Sequence, residues 1–363
     1  MRLLIAGGGT GGHVFPGIAV AEEWVGRKAG EVLFVGTSRG METRAVPAAG
    51  YALETLDVSG LKRVGLLGAV RGLFRLPLAL VRSITILRRF RPDVVLGEGG
   101  YASGPLLLAA FVLGLPTAIQ EVNSVPGFTN RILGRIVRRV FIAFADTARF
   151  FPWRKVEELG TPVRRAIVAA LESAAETEAA SGVRLLVVGG SQGARAVSEL
   201  VVEAAAKLAD DGIDFSLLHQ TGSADCQRMQ ERYRARGLAG RVTVQAFIDD
   251  MAAAYAQADL VIARAGALTL AELAMAGKPA ILIPLPTAAD DHQSKNAACL
   301  AAAGAAVVLD QRRTGAAALA GHIAGLGKDP DRRSAMGQAM RRLARPRAAS
   351  DTVDRLQGLA APR

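Results

Sequence analysis

Only four histidines occur in the 363 residues: His13, His219, His292 and His322. The first stands directly behind a glycine run, in LLIAGGGTGGHVFPG from Leu3. Leu3–Ala6 reads as a buried strand and Gly7–Gly12 as a turn, and Pro16 suits the first turn of a helix. A helix starting there would aim free backbone N–H groups at an anion. An imidazole at that junction titrates near neutral pH and could take a proton from a hydroxyl. The same run also matches two other readings, a dinucleotide-binding turn and a plain strand-to-helix turn. Gly7-x-Gly9-x-x-Gly12 has the dinucleotide spacing, but that site also needs an acid closing the second strand to hold a ribose. Here VLFV is followed by Gly36, Thr37, Ser38 and Arg39, which disfavours NAD and leaves only a narrow NADP reading through Arg39. No Gly-Lys-Ser/Thr follows, so a P-loop is excluded.

Four further stretches carry polar groups suited to a sugar nucleotide. In GGSQGAR, Gly189–Arg195, Ser191 and Gln192 could donate to oxygens, although a plain turn fits too. In RAGALTLAEL from Arg264, Gly266 and Ala267 allow close backbone approach, and Thr269 reads as an N-cap with Glu272 completing a capping box. One turn into that helix, Glu272 could alternatively accept hydrogen bonds from two vicinal ribose hydroxyls. In ADDHQSKNAACL from Ala289, Asp290 and Asp291 read as N-caps, and His292 and Gln293 as partners for sugar hydroxyls. In QEVNSVPGFTN from Gln120, Glu121 and Asn123 are candidates for contact with the transferred group or its acceptor. His13, His219 and His292 all stand near strand ends, glycine turns or helix starts, which raises the expectation of function for the set. Acidic pairs of D-x-D type are absent from the glycine turns, so neither an essential divalent metal nor another cofactor is expected.

These groups need a scaffold that repeats one unit. Continuous apolar runs at 3–6, 32–35, 94–96 and 117–119, then at 185–188, 215–218, 242–244, 260–262 and 280–283, alternate with helical patterns. That alternation predicts parallel sheets covered on both faces, an α/β class. LLIAGGGTGGH at Leu3 aligns without gaps on LLVVGGSQGAR at Leu185, and DVVLGEGG from Asp93 resembles DLVIARAG from Asp259. Two Rossmann-like domains are expected, at 1–163 and 164–346, with 347–363 crossing back onto the first. Ligands of such sheets bind outside the carboxyl ends of the strands, so the glycine turns should line a deep cleft between the domains.

Composition narrows the class. Half of the residues are hydrophobic and 21% are charged, as in a folded globular protein. Two cysteines without metal spacing imply neither a disulfide scaffold nor a zinc site. The N-terminus lacks a signal-peptide pattern, so a cytoplasmic protein is expected. The net charge is +11. Between Val58 and Pro92 there is no acid, while Lys62, Arg63, Arg71, Arg75, Arg82, Arg88, Arg89 and Arg91 alternate with leucines. This basic amphipathic stretch reads as an element for an anionic membrane surface, or else as a core helix with a solvated basic face. Its only aromatic side chains are Phe74 and Phe90, so a nucleic-acid groove is not expected.

GGGTGGHVFPG, GGYASGP, E-x-N, GTPVR, GGSQGAR, HQTG, FIDDM, RAGALTLAEL and DDHQSKNA occur in this order along nearly the whole chain. In this the sequence resembles the MurG family, glycosyltransferases of the GT-B fold. The resemblance implies an inverting, metal-independent transferase at the cytoplasmic face of the bacterial inner membrane. It would move N-acetylglucosamine (GlcNAc) from UDP-GlcNAc to the C4 hydroxyl of lipid I, undecaprenyl-pyrophosphoryl-MurNAc-pentapeptide. Lipid II would be the product, within peptidoglycan synthesis. By match to the motifs, Ile248 would read uracil through its backbone and Glu272 would hold the ribose. Ser191, Gln192, Ala267, Leu268, Thr269 and Arg164 would sit near the diphosphate, and Asn123, His292 and Gln293 near GlcNAc. Gly11, Gly12, His13 and Tyr101 would meet the acceptor, Thr10, Gly11 and Gly12 would also approach the donor, and His13 and Glu121 are the catalytic candidates. The Leu61–Arg91 region resembles the family's membrane patch. The sequence departs from the family at Gln120, often histidine, at Ala265, often serine, and at His292, often glutamine. Alternative expectations are a related transferase with another lipid-linked acceptor, a sugar-nucleotide epimerase, or a non-catalytic sugar-nucleotide binder.

Overall fold

The structure, a computed structural model, describes residues 1–58, 66–173, 182–189 and 194–360, with the side chains of 66–75 excepted. The chain forms two compact units, Met1–Arg165 with Arg345–Arg363, and Ala166–Ala344.

The first unit holds seven strands: β1 (Arg2–Gly7), β2 (Glu31–Thr37), β3 (Ala52–Leu56), β4 (Val94–Gly99), β5 (Thr117–Glu121), β6 (Arg139–Ile142) and β7 (Val156–Glu158). All pair in parallel in the order β3-β2-β1-β4-β5-β6-β7. Helices α1 (Gly11–Gly26), α2 (Glu42–Ala48), α3 (Leu66–Phe90), α4 (Ser103–Val112) and α5 (Phe128–Ile136) connect them. Side chains alternate between two buried faces. Leu4, Ala6, Val95 and Ile119 pack with Ile86, Leu106 and Leu133 of α3, α4 and α5, while Leu3, Ile5, Leu96 and Ala118 pack with Val14, Ile18 and Trp24 of α1. Burial on both sides is why the inner strands read as unbroken apolar runs. The sequence reading missed β3, β6 and β7, whose residues are fewer, more polar or less buried.

The second unit repeats the plan with β8 (Val183–Val188), β9 (Phe215–Gln220), β10 (Val242–Gln245), β11 (Leu260–Ala263), β12 (Ala280–Leu282) and β13 (Ala306–Val308), in parallel order β10-β9-β8-β11-β12-β13. Its helices are α6 (Arg165–Ser173), α7 (Arg195–Asp210), α8 (Cys226–Ala235), α9 (Met251–Gln257), α10 (Ala267–Ala276), α11 (His292–Ala302), α12 (Ala316–Gly327) and α13 (Pro330–Arg342). The last helix, α14 (Ala348–Ala360), belongs to the first unit. Its Val353 and Leu356 are fully buried in the α1 core, and Arg27, the C-cap of α1, donates to Asp354 and to Ser350 Oγ.

The internal repeat is structural as well. The carboxylate of Asp93, before β4, accepts the Arg2 N–H at 2.6 Å, and that of Asp259, before β11, accepts the Arg184 N–H at 2.8 Å. In both units strand order reverses at this pair of strands, β1/β4 and β8/β11. Such a reversal is where an open parallel sheet receives its ligand.

Candidate active site

In the first unit the glycine turn is held from below by a residue the sequence reading did not single out. Glu42 is 1% exposed, and its carboxylate accepts from Gly9 N at 2.8 Å and from Thr37 N and Thr37 Oγ1, both at 2.7 Å. A side chain on Gly8, Gly36 or Gly40 would overlap the Glu42 side chain. An acid therefore does follow the second strand, but it is spent on backbone amides and is not open to a ribose. Gly9 adopts φ +94, a left-handed conformation that glycine takes without strain. Beyond the turn, Thr10 is the extended N-cap of α1, and neither a side-chain cap nor an acidic residue occupies the first turn. The helix opens with the exposed Thr10, the buried Gly11 and the half-buried Gly12 and His13. Its N-terminal amides form a site for an anion.

The neighbouring turn, after β4, packs against it backbone to backbone. Gly100 lies so close to the Gly8 carbonyl that a Cβ would come within 2.5 Å of it, and Ser103 Oγ donates to the Ala6 and Gly99 carbonyls at 2.7 Å. Tyr101 stands half-exposed on this turn. Beneath it Glu98 is 1% exposed, and neither of its oxygens has a hydrogen-bond partner. Burial, reinforced by the Glu121 carboxylate, holds Glu98 well above the usual carboxylate range. Glu121 is equally buried, but its carboxylate accepts from Asn123 N and Nδ2, Gly127 N and Asn130 Nδ2 at 2.9–3.2 Å. It supports the 122–127 loop from beneath and reaches Asn123 from the inside. Gln120 Nε2 donates to the Gly160 carbonyl, which anchors the segment leading to GTPVR. Arg164 of that motif lies in the first unit, its guanidinium 5.5 Å from the centre of the Phe15 ring on α1.

In the second unit the groups singled out from sequence collect on the loops after β10, β11 and β12. Helix α10 starts at Ala267 with Gly266 as its extended N-cap and no side-chain cap. This corrects the reading of Thr269 as N-cap and of a capping box with Glu272. Gly266 takes the cap position, so Thr269 lies two residues inside the helix. Ala267, Leu268 and Thr269 form its first turn, which carries no side-chain cap. Glu272 is 9% exposed and accepts from the Tyr255 hydroxyl at 3.1 Å. Arg264, half-buried, donates to the Ile283 and Pro284 carbonyls and ties the β11 and β12 loops together. Gln293 Oε1 accepts from Leu285 N, and His292 Nδ1 lies 2.7 Å from the Ala289 carbonyl. Asp291 takes the N-cap position of α11, as the sequence reading expected, but without a side-chain cap hydrogen bond. Asp290 and Asp291 hold φ +52 and +54, a conformation uncommon outside glycine, in the turn just before His292. Ile248 is half-buried in the loop between β10 and the Asp250-capped α9, beside the half-exposed Phe247.

Ser191 and Gln192 lie outside the described residues, as do Leu61 and the other residues of the basic stretch before Leu66. His219 does not join the site. It is fully buried between Tyr233, 2.9 Å from Nδ1, and Ser198, 3.2 Å from Nε2, and burial pushes its pKa down to about 3. A strand end alone does not reveal whether later helices cover a histidine. Among the described residues, no group of three His, Cys, Asp or Glu side chains could hold a metal ion, and no helix is long and apolar enough to cross a membrane. Two adjacent helices nevertheless leave large apolar side chains in the open: Leu78 and Val81 on α3, Phe111 and Val112 on α4.

Residues 3–142 match the glycosyltransferase family 28 N-terminal domain and residues 184–352 the family 28 C-terminal domain. A protein of Anaeromyxobacter dehalogenans (strain 2CP-C) is 51% identical over 98% of this chain and 92% of its own length. It is named UDP-N-acetylglucosamine--N-acetylmuramyl-(pentapeptide) pyrophosphoryl-undecaprenol N-acetylglucosamine transferase. A Myxococcus xanthus (strain DK1622) protein of the same name is 49% identical over the same shares. The crystal structure of Acinetobacter baumannii MurG superposes with a TM-score of 0.79 at 34% identity, covering 98% of this chain and 99% of that one.

Proposed function

Because the chain belongs to glycosyltransferase family 28 and, within it, to the MurG transferases, we infer that it transfers N-acetylglucosamine from UDP-GlcNAc to lipid I, forming lipid II for peptidoglycan. The observation that carries the chemistry is His13, half-buried at the uncapped N-terminus of α1, where backbone amides offer an anion site. We assign the acceptor to the first unit, its diphosphate at Thr10, Gly11 and Gly12 and its sugar near Tyr101. His13 is the general base for the C4 hydroxyl. Removing that proton as the oxygen attacks the anomeric carbon expels UDP and inverts the centre, giving a β-1,4 link. The donor is assigned to the second unit. The α10 N-terminus takes the diphosphate, Glu272 the ribose hydroxyls and Ile248 the uracil through its backbone, with Ser191 and Gln192 as phosphate partners. Gln293 and His292 take the sugar. Glu121 acts through Asn123 and Asn130, which its carboxylate holds in place. We further assign the apolar and basic surface of α3 and α4 to an anionic membrane, making the enzyme peripheral to the cytoplasmic face.

The deciding measurement is transfer of radiolabelled GlcNAc from UDP-GlcNAc to a lipid I analogue. Lipid II should form with EDTA present. No transfer with or without EDTA would sink the proposed activity, and loss in EDTA alone would sink its metal independence. His13→Ala should cut turnover about 100-fold or more while UDP-GlcNAc binding persists. Undiminished turnover would remove His13 as the base.

A further inference from the structure

A histidine can act as a base through one ring nitrogen only if the other carries the proton, and a neighbouring group usually enforces that. In the described structure His13 Nδ1 is buried and has no hydrogen-bond partner. A second orphan stands in the same unit. Asn130, 2% exposed in the first turn of α5, donates through Nδ2 to the Gln120 carbonyl at 3.1 Å and to Glu121 Oε2 at 2.9 Å. Both partners are acceptors, so the amide orientation is settled: Nδ2 faces them and Oδ1 turns away. That Oδ1 is buried and unpartnered too. Both side chains flank Gly99. An ideal Cβ there would come within 3.0 Å of His13 Nδ1 and 3.5 Å of Asn130 Nδ2. Gly99 adopts φ +95, so the position favours glycine, and the missing side chain lets the imidazole and the amide approach one another over bare backbone.

We propose that Asn130 is the positioning residue for His13: its Oδ1 accepts the His13 Nδ1 proton and so leaves Nε2 free to receive the proton of the attacking hydroxyl. An unmatched buried donor and an unmatched buried acceptor each cost free energy, and a hydrogen bond between them would satisfy both. Catalytic hydrogen bonds are often long before substrate tightens the site. The far end of the chain is fixed by a hydrogen bond. The Glu121 side chain accepts from Asn130 Nδ2, so the amide cannot flip without setting its oxygen against an acceptor. The sequence Glu121–Asn130–His13 thus runs from a buried carboxylate to the reacting nitrogen through one amide. The proposal rests on His13 being the base.

The test reads the tautomer directly in the intact protein. Long-range 1H–15N correlation of the imidazoles, with His13 assigned by its absence in His13→Ala, should show Nδ1 protonated and Nε2 bare in the neutral ring. An Nε2–H tautomer in the wild type would overturn the proposal, whatever any variant does. Asn130→Ala should lose the Nδ1–H preference and lower kcat by about 100-fold with KM for UDP-GlcNAc little changed. The buried acid Glu98 is the rival acceptor. If Glu98→Gln shifts the tautomer and Asn130→Ala does not, Asn130 is not the positioning residue. Retained transfer by His13→Ala would refute the base while leaving the tautomer result to judge the hydrogen bond separately.

Discussion

At the residue scale, burial sorts chemically identical side chains into different jobs. His13 keeps one ring nitrogen against buried backbone at an open helix end. His219 is sealed between Ser198 and Tyr233, and burial drives its pKa down to about 3. An unfolded chain protonates histidine near pH 6.5. Between these two values the unfolded state therefore binds more protons, and stability is lost as pH falls from about 6.5 towards 3. The expected slope is about 1.4 kcal/mol per pH unit from this group alone. Urea unfolding of the wild type across that range should show the added slope relative to His219→Gln, and parallel curves would refute the assignment. Glu98 works in the opposite sense. Its folded pKa is raised, so the stability its protonated form contributes is lost as pH rises through that folded value.

At the scale of elements, the glycine turn after β1 is shaped by a helix two connections away. Glu42 enters from the first turn of α2 and uses its carboxylate on Gly9 and Thr37. Three donors on one buried carboxylate make Glu42→Gln costly, because its NH2 group must face an N–H. We expect a loss of about 2–4 kcal/mol in urea unfolding, together with a raised KM for the lipid acceptor and an unchanged KM for UDP-GlcNAc. Equal stability would show that the carboxylate does not hold the turn. A search for an acid at 36–39 could not find this residue. The turn at 38–41 brings Glu42 back under the glycines, and only the folded backbone brings it there. Helix α10 teaches the same lesson. Thr269 and Glu272 have capping-box spacing, yet the helix begins at Ala267 because Gly266 already supplies the extended cap.

At the scale of the molecule, the net charge of +11 and the open apolar side chains of α3 and α4 favour an anionic bilayer. Arg82 and Arg88 are exposed on α3 beside Leu78 and Val81. Charge reversal at both arginines should weaken co-sedimentation with phosphatidylglycerol-containing vesicles by about 30-fold or more, at roughly 1 kcal/mol per basic residue removed. Unchanged binding would return these arginines to the role of a solvated helix face. By itself the sequence determined the two parallel sheets, their internal repeat and the strand ends that carry the candidate groups. Strands covered on both faces must be continuously apolar, and phosphate-sized turns must be rich in glycine, so both show as local patterns. Only the tertiary structure decided which polar residues end up beneath the turns and with what partners. Glu42, Glu98 and Asn130 look like ordinary polar residues in the chain, and nothing near Glu121 or His219 in the sequence tells that they are buried. Their burial and hydrogen bonding depend on side chains tens of residues away, and no local spacing encodes those contacts.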